Sequence, residues 1–214
     1  MREGFQDDLG RLHGRLAAMS EGAAEAMRGA TRALLAADLR LAEQVIGADS
    51  ELDDLRSSCE EEAYSLLALQ SPVAGDLRMV LAVVYCAEKI ERMGDLAAHV
   101  ASMARRTHPD RVVPAELEPV FRELGEATSH MADRVAELVR TGAKGGHAEL
   151  SHEDETVDAL HARVLATITA EGWEHDQRTA VGLTLVTRFY ERFADQTVSV
   201  AKRLDFAATG DLPA

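Results

Sequence analysis

The sequence predicts an all-α protein built as a tandem repeat of two antiparallel three-helix bundles. Three observations lead there. The first is composition: of 214 residues, 36 are Ala and 25 are Leu against 3 Ile, and aromatics make up 4%. Ala and Leu are strong helix formers, whereas strands favour β-branched and aromatic side chains. With 5 Pro and 15 Gly, the chain is also too poor in turn residues for a β protein. The second is a run of six long helical segments separated by short breaks. The third is an internal repeat that divides those six into two sets of three.

The first segment, at about residues 5–36, places Leu9, Leu12, Leu16, Met19, Ala23, Met27 and Leu34 at spacings of three, four and seven. That is one buried stripe on a helix. Asp38 is positioned to cap a second helix reaching about residue 69. Ser71 followed by Pro72 reads as an N-cap with proline at the first helical position of a third helix, which ends near 106. Residues 107–114 hold two prolines and read as the linker between the halves. A fourth helix is expected over about 114–141. A flexible turn at 142–146 follows, then a fifth helix over about 147–172. Asp176 offers a cap for the sixth helix, which is expected to end near 206 and leave residues 207–214 as a loose tail. The predicted units are 1–108 and 109–214.

The repeat is explicit. At a shift of 100, seven residues of the third segment recur in the sixth: Asp76/Asp176, Arg78/Arg178, Glu91/Glu191, Arg92/Arg192, Asp95/Asp195, Val100/Val200 and Ala101/Ala201. At a shift of 105 the second segment matches the fifth. There Asp49-x-x-Leu52-Asp53-x-Leu55 aligns with Asp154-x-x-Val157-Asp158-x-Leu160. The small difference in offset fits a change of length in the connections.

Mostly charged residues are repeated, which core packing alone would not produce. Four acid pairs recur at i, i+4: Asp49/Asp53, Glu91/Asp95, Asp154/Asp158 and Glu191/Asp195. Each pair shares a helix face about one turn apart, where like charges repel. Glu91 and Asp95 interrupt a small-apolar stripe of Val80, Val84, Ala87, Gly94 and Ala98. Asp49 and Asp53 sit beside Val45, Ile46 and Leu52. Acids on an inward-leaning face are costly unless paired or bound to metal. If the helices run antiparallel, each half brings four hard oxygen donors together, suited to Mg²⁺, Mn²⁺, Ca²⁺ or iron. One acid pair alone reads as a solvated face, with Arg92 or Arg192 available for salt bridges. Four pairs in register across two halves favour a site. His99 could extend the first row, but Ser199 replaces it in the second half. Glu149-x-x-His152 lacks the second Glu-x-x-His that a di-iron centre needs. No phosphate-cradling P-loop, nucleophile elbow or Ser/His/Asp set is present.

Charge narrows the partners. There are 37 Asp+Glu against 23 Lys+Arg, a net charge of -14. That repels phosphate backbones and anionic membrane surfaces, so no nucleic-acid partner is expected. Cys59 and Cys86 give neither a disulfide framework nor metal-finger spacing. The first eight residues lack the apolar core of a signal peptide. The longest uncharged apolar stretch, residues 79–87, falls far short of the ~20 residues that span a bilayer. A cytoplasmic protein is expected.

Leu69-Gln70-Ser71-Pro72-Val73-Ala74-Gly75-Asp76-Leu77-Arg78, followed by Glu91-Arg92-Met93-Gly94-Asp95, resembles the PhoU family of phosphate-signalling regulators. Asp49-x-x-x-Asp53 upstream carries the same resemblance. So does its repetition as Asp154-x-x-x-Asp158 and Glu191-Arg192-Phe193-Ala194-Asp195. The likeness covers residues 1 to about 206. Ala194 stands in place of the family's usual glycine, and Leu96 and Gln196 in place of its usual histidine. The resemblance implies a non-enzymatic adaptor of two three-helix bundles. It would act with the ATPase of a Pst-type phosphate ABC transporter and with a sensor histidine kinase, repressing the phosphate-starvation response. It would approach the membrane only through those partners, and would form a homodimer. The implied metal ligands are Asp49, Asp53, Glu91, Asp95, Asp154, Asp158, Glu191 and Asp195, binding Mg, Mn, Fe or Zn. Beside it stand two other readings of the same acids: a metal-dependent carboxylate enzyme of the di-iron oxidase or phosphohydrolase type, and a plain helical scaffold.

Overall fold

The Ala- and Leu-rich segments fold into six α-helices in the computed structural model, which describes residues 2–211. They are α1 (Arg2–Ala36), α2 (Leu39–Gln70), α3 (Ala74–Thr107), α4 (Glu118–Thr141), α5 (Gly146–Ile168) and α6 (Gln177–Thr209). No strand occurs among the described residues.

Two predicted caps are present. The Asp38 carboxylate accepts from the Leu41 N–H at 3.0 Å, and Asp176 accepts from the Thr179 N–H at 2.8 Å. Each satisfies a donor that the first turn leaves without a partner, typically worth about 1 kcal/mol. Other helix ends differ from expectation. Ser71 closes α2 in a left-handed conformation (φ 46°) instead of opening α3, and Val73 is the N-cap, with no side-chain bond. The Pro72 ring disfavours a right-handed helical Ser71, so the break falls there and Pro72 stays in the connection. The fourth helix starts at Glu118, because Val112, Val113 and Leu117 are buried in the preceding turns. The fifth stops at Ile168, its last buried residue, and Trp173 packs on the core from the turn that follows. The sixth continues past 206 to Thr209, with Ala207 buried and Gly210 (φ 85°) donating its N–H to the Phe206 carbonyl at 2.8 Å. The part of the expected tail at 212–214 lies outside the described residues.

Within the first unit α1, α2 and α3 pack on one another; α4, α5 and α6 do so in the second. The units join along α1 against α4 and α3 against α6. The inner helices α3 and α6 run antiparallel. Arg78 lies at Gly210, Cys86 at the Val200 carbonyl, and the His99 ring stacks on Phe189. One hydrophobic core therefore runs through both units, from Phe5 to Ala201. At its centre the buried Tyr190 hydroxyl of α6 bonds to Thr31 of α1 at 2.8 Å, and its ring meets Phe121 of α4 edge-on. The two three-helix units are thus fused, with the outer helices α2 and α5 each lying on an inner helix. No helix among the described residues is long and apolar enough to cross a membrane.

Candidate metal centre

Each acid set lies where an outer helix meets its inner helix. In the first unit, glycines set the approach. A Cβ on Gly94 would collide with the Leu52 side chain and stand 3.1 Å from the Asp49 carboxylate. On the α1 side, a Cβ on Gly22 would stand 3.3 Å from Leu52, and one on Gly29 would stand 2.8 Å from Val45. Leu52, 6% exposed, is therefore seated in a notch between two helices, and Asp49 is carried against α3 next to Asp95. A cleft of about 410 Å³ between α1 and α2 has Asp49 and Gly94 in its wall, so solvent reaches this set. The larger groove of about 860 Å³, between α1 and α4, holds none of the eight acids.

The acids of the first set act on one another. Asp49 is raised from the ordinary carboxylate value, first by burial and then by the charges of Asp95 and Asp53, with His99 opposing. Glu91 is raised by burial, then by Asp95 and Asp53, against the pull of Arg56. Arg92 pairs with Asp95 one turn further along α3, as its adjacency suggested.

The second set repeats this with stronger effect. Burial, then Asp158, Asp195 and Glu191, push Asp154 up to about 6. Burial and Asp195 raise Glu191, against Arg188 and His161. Burial likewise raises Asp195, against Arg188. Here Arg188 pairs with Glu191, so the salt bridge expected of Arg192 goes to its neighbour one turn earlier. Two buried carboxylate oxygens, Asp154 Oδ1 and Glu191 Oε2, have no hydrogen-bond partner. An unmet buried acceptor costs about 1–3 kcal/mol, more when charged. Such atoms are what a bound cation satisfies. The donor set is all carboxylate oxygen, which fits a hard cation.

The eight sequence-predicted residues thus come together as two facing sets of four. Asp53, Asp158 and Asp195 lie toward solvent, and the others are half-buried. In this conformation no three His, Cys, Asp or Glu side chains among the described residues close on one coordination point. Two of the remaining sequence candidates, Glu149 and His152, separate from the site. Glu149 takes two bonds from Arg134, at 2.7 and 2.9 Å, and His152 pairs with Glu155 on the surface. His99, stacked on Phe189 at 5.2 Å, stays beside Asp49.

Ala194 replaces the notch glycine, and the register of the repeat explains why this is tolerated. The α5 residue corresponding to Leu52 is Val157, one carbon smaller. A methyl is added on the inner helix and one carbon is removed from the outer one, so the filled volume is conserved; such exchanges are the best tolerated. Both Ala194 and Val157 are fully buried.

Sequence reasoning overlooked His161 and Thr187. The imidazole Nδ1 lies 3.3 Å from the Thr187 hydroxyl, which is itself fully buried. Helical spacing could have found His161, since it follows Asp158 by three residues and Asp154 by seven.

A duplicated six-helix chain with facing carboxylate pairs in each half defines a class of helical proteins in which the site belongs to the repeat and not to a single cleft. The model described as the PhoU domain matches residues 16–104 and again 121–204, and the chain belongs to the PhoU family. It is 42% identical over 213 residues, covering all of both chains, to the phosphate-specific transport system accessory protein PhoU homolog 2 of Mycobacterium tuberculosis. It is equally 42% identical to PhoU homolog 1 of Mycobacterium leprae, covering all of this chain and 96% of that one. The fold matches the crystal structure of the phosphate transport system regulatory protein PhoU from Streptococcus pneumoniae. That match has a TM-score of 0.88 at 22% identity and covers 98% of this chain and 99% of the other.

Proposed function

We propose that this chain is a non-enzymatic accessory protein of phosphate transport. In this reading it binds the ATPase of a phosphate ABC transporter and a sensor histidine kinase on the cytoplasmic side, as a homodimer. It holds the phosphate-starvation response repressed while phosphate is plentiful. The observation that carries this is the end-to-end likeness, 42% over 213 residues, to proteins named as accessory to phosphate-specific transport. The conclusion extends to metal: Asp49, Asp53, Glu91 and Asp95 hold one cation site, and Asp154, Asp158, Glu191 and Asp195 the other. The two orphaned oxygens, Asp154 Oδ1 and Glu191 Oε2, support it. A bound cation would neutralise the repulsion within each set and tie the outer helix to the inner one.

Deleting the gene in its host tests the regulatory reading. A phosphate-starvation reporter should rise in phosphate-rich medium, and the tagged protein should retain the transporter ATPase and the kinase. An unchanged reporter would overturn the reading. Elemental analysis of protein purified without chelators tests the metal reading separately.

A further inference from the structure

We infer that His161 supplies a nitrogen ligand to the second carboxylate set, making it a mixed nitrogen–oxygen site, while the first set is held without a ligand from the corresponding position. This rests on the reading that the acid sets hold cations.

Position comes first. Asp154, Asp158 and His161 follow one another at i, i+4 and i+7 on α5, so they share one helix face. His161 reaches across to α6 at Thr187, four residues before Glu191, which puts the imidazole one turn along the same helix pair as the acids. Orientation comes second. The Thr187 hydroxyl takes one ring nitrogen, Nδ1, at 3.3 Å and is buried in the core, so it cannot swing to water. Nε2 has no hydrogen-bond partner among the described residues. A ligating histidine is ordinarily fixed in this way, with one ring nitrogen held by a hydrogen bond and the other turned to the metal.

The repeat supplies an independent argument. In the first half the residue corresponding to His161 is Arg56, and the residue corresponding to Thr187 is Ala87. Arg56 bonds to Glu60 at 2.9 Å and has no lone pair to offer a metal. The imidazole and the hydroxyl that orients it are thus present together in one half and absent together in the other. A surface histidine would need no buried hydroxyl across the helix interface. His99, beside the first set, is held differently, by stacking on Phe189.

The two sites should therefore differ in metal preference. Imidazole suits Zn²⁺ and Fe²⁺, while an all-carboxylate set suits Mg²⁺. The test uses the full chain with the first set disabled by Asp49→Asn and Asp95→Asn, titrated calorimetrically with Zn²⁺ and with Mg²⁺. His161→Ala and His161→Gln should each lower Zn²⁺ affinity by about 10- to 100-fold and Thr187→Val by about tenfold, the scale seen when ligand support is lost. Mg²⁺ affinity should change by less than about threefold. In imidazole ¹⁵N spectra, the His161 Nε2 resonance should move on adding Zn²⁺. If Asp154→Asn abolishes Zn²⁺ binding but both His161 variants bind as the parent does, the inference is overturned and the carboxylate site stands. If the parent binds neither ion, both fail together.

Discussion

The notch at Gly94 fixes how closely α2 approaches α3, and Gly94→Ala tests it. The added methyl would collide with the Leu52 side chain, which sits between Gly94 of α3 and Gly22 of α1 in the wall of the cleft and would have to leave its present position to make room. Overpacking of this kind costs about 1–3 kcal/mol. Against it, alanine is favoured over glycine in a helix by about 1 kcal/mol. The expected net loss is about 1 kcal/mol, and Asp49, 3.1 Å from the new methyl, is pushed away from Asp95. Adding Leu52→Val should undo this. It removes about one methylene, worth ~0.8 kcal/mol of burial, but relieves the clash and keeps the propensity gain. The double variant reproduces the Ala194/Val157 combination of the second half and should return to within about 0.5 kcal/mol of the parent. Urea denaturation with the chain free of metal measures all three. A double variant no more stable than Gly94→Ala would refute the notch, as would a single variant more stable than the parent.

Three further outcomes follow. Protonated Asp154 contributes stability that is fully present below its ordinary value of 3.8 and lost as pH rises through about 6. The full difference corresponds to about 3 kcal/mol, but the half-exposed side chain is screened by solvent, leaving about 1 kcal/mol. Asp154→Asn should therefore raise metal-free stability at pH 7.5 by about that much and have little effect near pH 4, read by urea melts across pH; a gain independent of pH would count against the assignment. Mg²⁺ or Mn²⁺ at 100 times its dissociation constant should add about 2.7 kcal/mol to the folded state and raise the melting temperature, reversed by a chelator. Asp205 is buried and accepts from the Gly145 and His147 N–H groups at 2.9 and 3.0 Å, anchoring the start of α5. Asp205→Ala should cost about 1.5–3 kcal/mol and speed hydrogen exchange at those two amides.

Much of the site was readable before any coordinates. The pairs Asp49/Asp53 and Glu91/Asp95, and their copies, are visible because helical periodicity turns a spacing of four into a shared face. The caps Asp38 and Asp176 are visible for a similar local reason: a side chain three residues from the donor it satisfies. What failed was also local in form but decided elsewhere. Ser71-Pro72 carries the pattern of a helix start, yet Ser71 ends α2. The fourth helix begins at Glu118 because Val113 and Leu117 are used to plug the core. The polar neighbours of the acids were hidden for a related reason. Arg188 stands in for Arg192, and His161 meets Thr187 across two helices separated by 26 positions in the chain.

The sequence by itself determined that the chain is helical, that it is duplicated, and which eight carboxylates belong to the repeat. Each of these follows from composition or periodicity, which act along a single chain segment. Only the tertiary structure decided that the two three-helix units share one core. It also decided that Leu52 locks into Gly94, and that one half surrounds its acids with an imidazole and a buried hydroxyl where the other places Arg56 and Ala87. Those facts depend on which faces meet, and that is set by steric fit between distant helices, a property no single segment encodes.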